Sequence, residues 1–324
     1  TLNSDQTRLL YSFQSMMVAF DILSTKKADL ALVKTRWKNE WEATVCESLD
    51  VTRDEFFIRS GRQAFDLMEE ISNEVEDRSW IDLLVLELSR FTPYYQLGLE
   101  ENKSYKKLKV KTDYLGDVFC KGQNYIDSTD VKAIQKAYTH AIGTITGNRK
   151  RVAAAAVATL AVTAATAGGA LFFAPEIAVL IAGDAVVGLS GAALTSASLA
   201  FVGGGSLAVG GMGMAGGTAI LTGGGALLGL AGSGVTTAAT VAVQSSESFV
   251  QSECSKLLAF CSEIAVKKYG RYDIASLAQQ GMQNCTEELR AEIEKLSNAD
   301  NGPDKKLISQ MKKSLKCMER CEKA

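Results

Sequence analysis

Residues 152–174 read VAAAAVATLAVTAATAGGALFFA, twenty-three positions without a charged side chain. A helix rises about 1.5 Å per residue, so about 20 apolar residues cross ~30 Å of hydrocarbon, and this stretch has the length of a membrane span. It opens a longer window of the same character. From Val152 to Ser246 the chain has 95 residues with only two charges, Glu176 and Asp184, and 19 of its 28 glycines. The flanks hold the other 70 charges and read as water-soluble protein. The near-neutral total of −2 hides this segregation.

Four apolar stretches fit inside the window: 152–174, 177–202, 206–222 and 226–243. Pro175, between Ala174 and Glu176, breaks the first from the second and invites a turn. The GGG triplets at 203–205 and 223–225 read as permissive loops, set one helix length apart in a weak internal repeat. The spaced small residues read differently. Gly213 and Gly217, and Gly225, Gly229 and Ser233, stand four apart, a pattern that lets helix backbones approach closely. Glycine costs a helix about 1 kcal/mol against alanine in water, so helices this rich in it need dense packing or lipid.

Charge at the edges agrees with a membrane reading. Arg149, Lys150 and Arg151 stand immediately before the first stretch, where three cations act as interfacial anchors on the cytosolic side. Four crossings would return the chain to that side, placing both flanks there. Two hairpins that insert on demand would give the same topology. The stretches are built from Ala, Gly, Val and Thr, and the strongest inserting residues, Leu, Ile and Phe, are thin. That composition suits helices that pack on one another and move. Glu176, beside Pro175, is expected at an interface. Asp184 lies eight residues deeper: it is a pore-lining or switch residue if its helix spans, and a cap or paired core carboxylate if it does not.

The flanks predict helices, and no sustained period-two alternation predicts a strand. Apolar residues at helical intervals run from Asp5 to about Trp41, and Thr52-Arg53-Asp54-Glu55 has the form of a capping box for a helix through Phe56, Phe57, Phe65, Met68 and Ile71. Further helices are expected from Ser79 to Phe91, stopped by Pro93, and from Asp130 to Ile145. Beyond the window, Val250, Cys254, Leu257, Cys261 and Ile264 make one stripe ending near Gly270. Helices over 273–296 and from Pro303 onward follow. The expected fold is all-α, a multi-helix bundle with about four central Gly/Ala-rich helices between helical flanks. The expected divisions are an N-terminal helical domain 1–148, a Gly/Ala-rich hydrophobic membrane region 149–246 and a C-terminal helical region 247–324.

Enzymatic motifs fail on context. Gly211-Met212-Gly213-Met214-Ala215-Gly216 matches a dinucleotide fingerprint but lacks the preceding strand and the acidic residue about 20 positions on. His140 is the single histidine, without an elbow or an orienting carboxylate near it, and reads as an ordinary helical residue. Cys254/Cys261 and Cys317/Cys321 could meet as a four-sulfur site or a disulfide, yet they lie on apolar stripes and read as core packing. The seven cysteines and an opening TLNSDQTRLLYSF without a secretory pattern are expected to belong to a reducing, cytosol-facing protein. No catalytic residue, metal or cofactor is called for, and the balance of charge gives no footprint for nucleic acid.

The block AAAAVATLAVTAATAGGALFFAP (153–175) with its continuation LAFVGGGSLAVGGMGMAGGTAILTGGGALLGLAG (199–232) resembles α-helical proteins with a hidden hydrophobic hairpin. Colicin-type channel domains and apolipoprotein-L-like proteins have this organisation. The likeness is architectural and covers under a third of the chain. It implies a non-enzymatic protein that permeabilises or remodels a bilayer, as a pore-forming toxin or defence effector does, with the lipid bilayer and further copies of itself as partners and a regulatory protein acting on the flanks. Location would be cytoplasmic, membrane-associated or both. Two other functions fit the same residues: a constitutive membrane protein with cytosolic helical scaffold domains, and a helical bundle using the segment as a core for partner binding.

Overall fold

A computed structural model describes residue 2 and residues 4–49, 51–94, 104–105, 108–147, 247–298 and 305–324. Arg149, Lys150, Arg151, Pro175, Asp184, Gly213, Gly217, Gly225, Gly229 and Ser233 lie outside the described residues, as do the GGG triplets. The fold is all-α: the described residues form ten α-helices, two of them joined to π-helical turns, and no strand.

The N-terminal helices are α1 (Ser4–Leu23), α2 (Ala28–Leu49), α3 (Arg53–Phe56), α4 (Gly61–Glu74), α5 (Ser79–Arg90), α6 (Cys120–Gly122, preceded by a π-helical turn Leu115–Phe119) and α7 (Ser128–Thr146). After the apolar window come α8 (Glu247–Ala259, continued by a π-helical stretch Phe260–Lys268), α9 (Tyr272–Ser297) and α10 (Lys305–Glu322).

Two expectations of the sequence need correction. The periodicity from Asp5 to Trp41 is not one helix: the chain turns at 24–27, and α1 and α2 pack as an antiparallel hairpin. Asp21 at the end of α1 is the reason. Its buried carboxylate takes the Lys34 ammonium from α2, the Tyr94 hydroxyl at 2.6 Å and the Lys111 amide at 2.8 Å. The capping box at Thr52 also fails. The Thr52 hydroxyl donates to the Glu55 carboxylate instead of accepting from the backbone, and the helix it opens ends at Phe56. The long helix begins later, with Ser60 as its N-cap. By contrast, α7 starts with a complete capping box: Asp127 accepts from the Thr129 and Asp130 amides, and Asp130 accepts from the Asp127 amide.

Flanks separated by a hundred residues of sequence fold onto each other. One core joins Tyr11, Trp37, Trp41 and Tyr94 to Val250, Cys254, Met282, Cys285, Met311 and Met318. Trp37 and Trp41 stack at 5.9 Å, with Phe91 against Trp41 at 5.4 Å. A second core joins α1, α4, α5 and α7 to Ala259 and Ile264. Its centre is α5, buried on every side, with Leu84, Val85, Leu86 and Leu88 fully covered.

At the α1–α2–α3 junction Glu42 is fully buried and accepts from four donors: Ser15, Lys38 at 2.5 Å, Arg53 at 2.7 Å and Arg59 at 2.7 Å. Burial works to raise its pKa, but the Arg59, Lys38 and Ser15 hydrogen bonds outweigh it and hold the carboxyl at about 2. A folded pKa below the unfolded one means the unfolded chain binds the extra proton. This stability is present above the unfolded value of 4.5 and is lost as pH falls towards 2. Thermal unfolding followed from pH 6 to pH 2 should show a steep drop below pH 4.5, and Glu42→Gln should flatten that part of the profile.

Candidate functional site

The segment with the strongest functional signal lies in sequence between α7 and α8, so the end of α7 and the start of α8, its two roots, form the candidate site. The α7 helix ends because Gly147 takes a left-handed conformation, φ 72°, that a side chain would strain. A Cβ there would also stand 3.0 Å from the Arg320 guanidinium, which donates to the Ile145 carbonyl at 2.8 Å. The return is at Glu247, whose carboxylate lies 3.8 Å from the Lys313 ammonium.

Two contacts fix the orientation of the helices that carry the roots. Lys268, at the far end of the α8 π-helical stretch, pairs with Asp130 at the start of α7 at 3.4 Å. Ile145 and Val250, near the roots, share the first core. Hence α7 and α8 are antiparallel neighbours, and their root ends are at the same end of the pair. Helix α10 bridges them: Arg320 reaches the outgoing root and Lys313 the returning one, seven residues apart, or roughly 10 Å along the helix. Residues 148–246 therefore begin and end on one side of the body.

Below the roots, α8 is tied to α5 by ionic contacts out of water. Lys256 is 1% exposed and lies 2.8 Å from Glu87 and 2.7 Å from Glu253, both also buried. Burial alone would lower the Lys256 pKa, but the two carboxylates reverse this and hold it raised. Burial pushes the Glu253 carboxyl up, Lys256 opposes that, and the neighbouring Glu87 adds to it, so its net shift is upward. About three turns further along, Lys268 and the Tyr269 hydroxyl both donate to buried Asp82, each at 2.7 Å. The π-helical stretch makes this reach: Tyr269 N–H bonds back five residues to the Ile264 carbonyl, and Gly270 closes the helix at φ 65°.

The sequence signalled none of the contacts between α5 and α8, because their partners are 169 to 187 positions apart. The cysteine pairs of α8 and α10 do come together, with the Cys321 thiol 3.5 Å from the Cys254 carbonyl, and all seven cysteines are free. Among the described residues no group of three or more His, Cys, Asp or Glu side chains is placed to hold a metal ion. His140 is exposed and lines a groove of about 840 Å³ with Lys136, Lys267 and Arg320. No described helix is long and apolar enough to cross a membrane. No protein family, curated protein or solved structure matches the chain.

Proposed function

We propose that this chain is a non-enzymatic, membrane-active protein in which a folded helical body delivers residues 152–246 to a bilayer and permeabilises or remodels it. One observation carries the reading: the end of α7 and the start of α8, which flank a window of 95 residues with two charges, stand on one side of a body none of whose described helices is long and apolar enough to cross a membrane. Segments that begin and end together cross a bilayer an even number of times, which fits four spans or two hairpins. Burial of apolar surface, at ~25 cal/mol per Å², supplies the driving force. The small-residue faces at Gly213/Gly217 and Gly225/Gly229/Ser233 set helix association, and Pro175 the first turn. Asp184 is the charge a pore or a switch would use. Self-association in the membrane completes the arrangement, and the body holds both termini on the cytosolic side.

Dye release from vesicles tests this reading. The parent chain is expected to release an entrapped dye, Gly213→Leu to release it several-fold more slowly by spoiling close helix approach, and Asp184→Lys to change the rate or the charge preference of leakage. No leakage from any vesicle, together with extraction only by detergent, would replace pore formation by a constitutive membrane scaffold.

A further inference from the structure

We infer that the exposed face of α10 is a docking surface for anionic phospholipid headgroups, which orients the body with the roots of the apolar segment towards the bilayer. The inference rests on the membrane reading above and names the part of the surface that meets lipid first.

Between residues 305 and 324 the chain carries seven cations and two carboxylates, in a protein whose total charge is −2. They are not spread around the helix. Lys305, Lys312, Lys316 and Lys323 recur at seven, four and seven positions, and Lys313 and Arg320 stand beside that line, all on the face opposite the buried Met311, Ser314 and Met318. Lys305, Lys312 and Lys316 line a groove of about 520 Å³ floored by Ile308. They are exposed and have no acidic partner among the described residues. Glu319 is turned away to Arg290 at 3.0 Å.

Helix stability does not account for this placement. Lys305 sits in the first turn, against the positive end of the helix dipole. Lys312 and Lys316 are like charges four apart, a spacing that opposes helix formation. A basic face without carboxylate partners complements an anionic surface. Its position says which one. Lys313 lies at the returning root and Arg320 at the outgoing root, so the basic face runs beside both points where the apolar segment joins the body. A lipid surface presents headgroup phosphates and carboxylates across the whole of such a face, beside the hydrocarbon that the segment requires.

The test is vesicle sedimentation of the full chain on phosphatidylcholine alone and on phosphatidylcholine with about 30% phosphatidylserine. Each lysine near an anionic surface is worth about fivefold in binding, so the parent should prefer anionic vesicles by at least about tenfold at low salt and lose that preference near 0.5 M salt. The variant K305E/K312E/K316E should keep its helical content and its binding to phosphatidylcholine and lose the anionic preference. Equal affinity of the parent for both vesicles, or a preference retained by the variant, would overturn the docking face while leaving the membrane reading intact. Binding to neither vesicle would overturn both. Tighter binding to a single-stranded oligonucleotide than to anionic vesicles, abolished in the variant, would assign the face to nucleic acid and overturn the lipid assignment.

Discussion

Replacing residues 149–246 by a linker of about a dozen Gly and Ser residues is expected to leave the helical body folded and to abolish its binding to phosphatidylcholine vesicles. Such a linker has a mean span of roughly 20 Å. The roots need less, since Arg320 and Lys313 touch them from positions seven apart on one helix. Both cores are assembled from the flanks, with Val250, Cys254 and Met318 closing over Trp41 and Tyr11. The shortened chain should therefore melt cooperatively, within a few degrees of the parent, since shortening a closed loop changes its entropy only slowly with length. Anionic vesicles should still bind it weakly through α10. Size-exclusion chromatography, circular dichroism and sedimentation on the two vesicle types check all three points. A linker variant that fails to fold would mean that the apolar segment fills the body as a core.

Lys256→Ala is the point substitution expected to cost most. It leaves Glu87 and Glu253 buried together without a counter-charge, and breaking a buried ion pair in this way costs about 3–5 kcal/mol. For a body of this size that is a fall in Tm of roughly 10 °C. The loss should shrink on acidification. A carboxyl whose folded pKa lies above its unfolded value binds a proton preferentially in the folded chain, so stability falls as pH rises through that window and returns as pH falls. Glu253 already has this sign with Lys256 present, and without it the upward shift grows. A triple variant, Lys256→Met with Glu87→Leu and Glu253→Leu, should be nearly as stable as the parent, because well-packed apolar groups replace a buried ionic cluster at little cost. Thermal melts at pH 5 and pH 8 of the single and triple variants separate the burial of unpaired charge from loss of packing.

The all-α character was legible because helix signals are local. The spacing of Val250, Cys254 and Leu257 foretold α8, and the lysine-and-apolar faces of α10 were plain in its sequence. At α7 the sequence put the first helical residue at Asp130, whereas the helix starts at Ser128, two residues earlier, and its cap is Asp127. Breaks without Gly or Pro were not legible. Ser-Thr-Lys-Lys at 24–27 reads as helix, and the turn there goes with the Lys34, Tyr94 and Lys111 donors that meet at Asp21, two of them distant in sequence. The junction of the flanks was illegible for the same reason: Glu87 and Lys256, or Asp82 and Tyr269, carry no mark of each other in sequence. The reverse holds for the candidate site. Its chemistry, a chargeless Gly/Ala segment with Asp184 inside it, is plain in the sequence, and the structure adds where its two ends are held.

The most direct measurement of the central claim is labelling of the full chain, bound to vesicles, by a photoactivatable probe dissolved in the hydrocarbon, followed by peptide mapping. The account predicts label within 152–246 and none on α1–α9, with α10 touched at most by headgroup-level probes. Label confined to the helical body, or no label in 152–246 on vesicles that carry the protein, would contradict it.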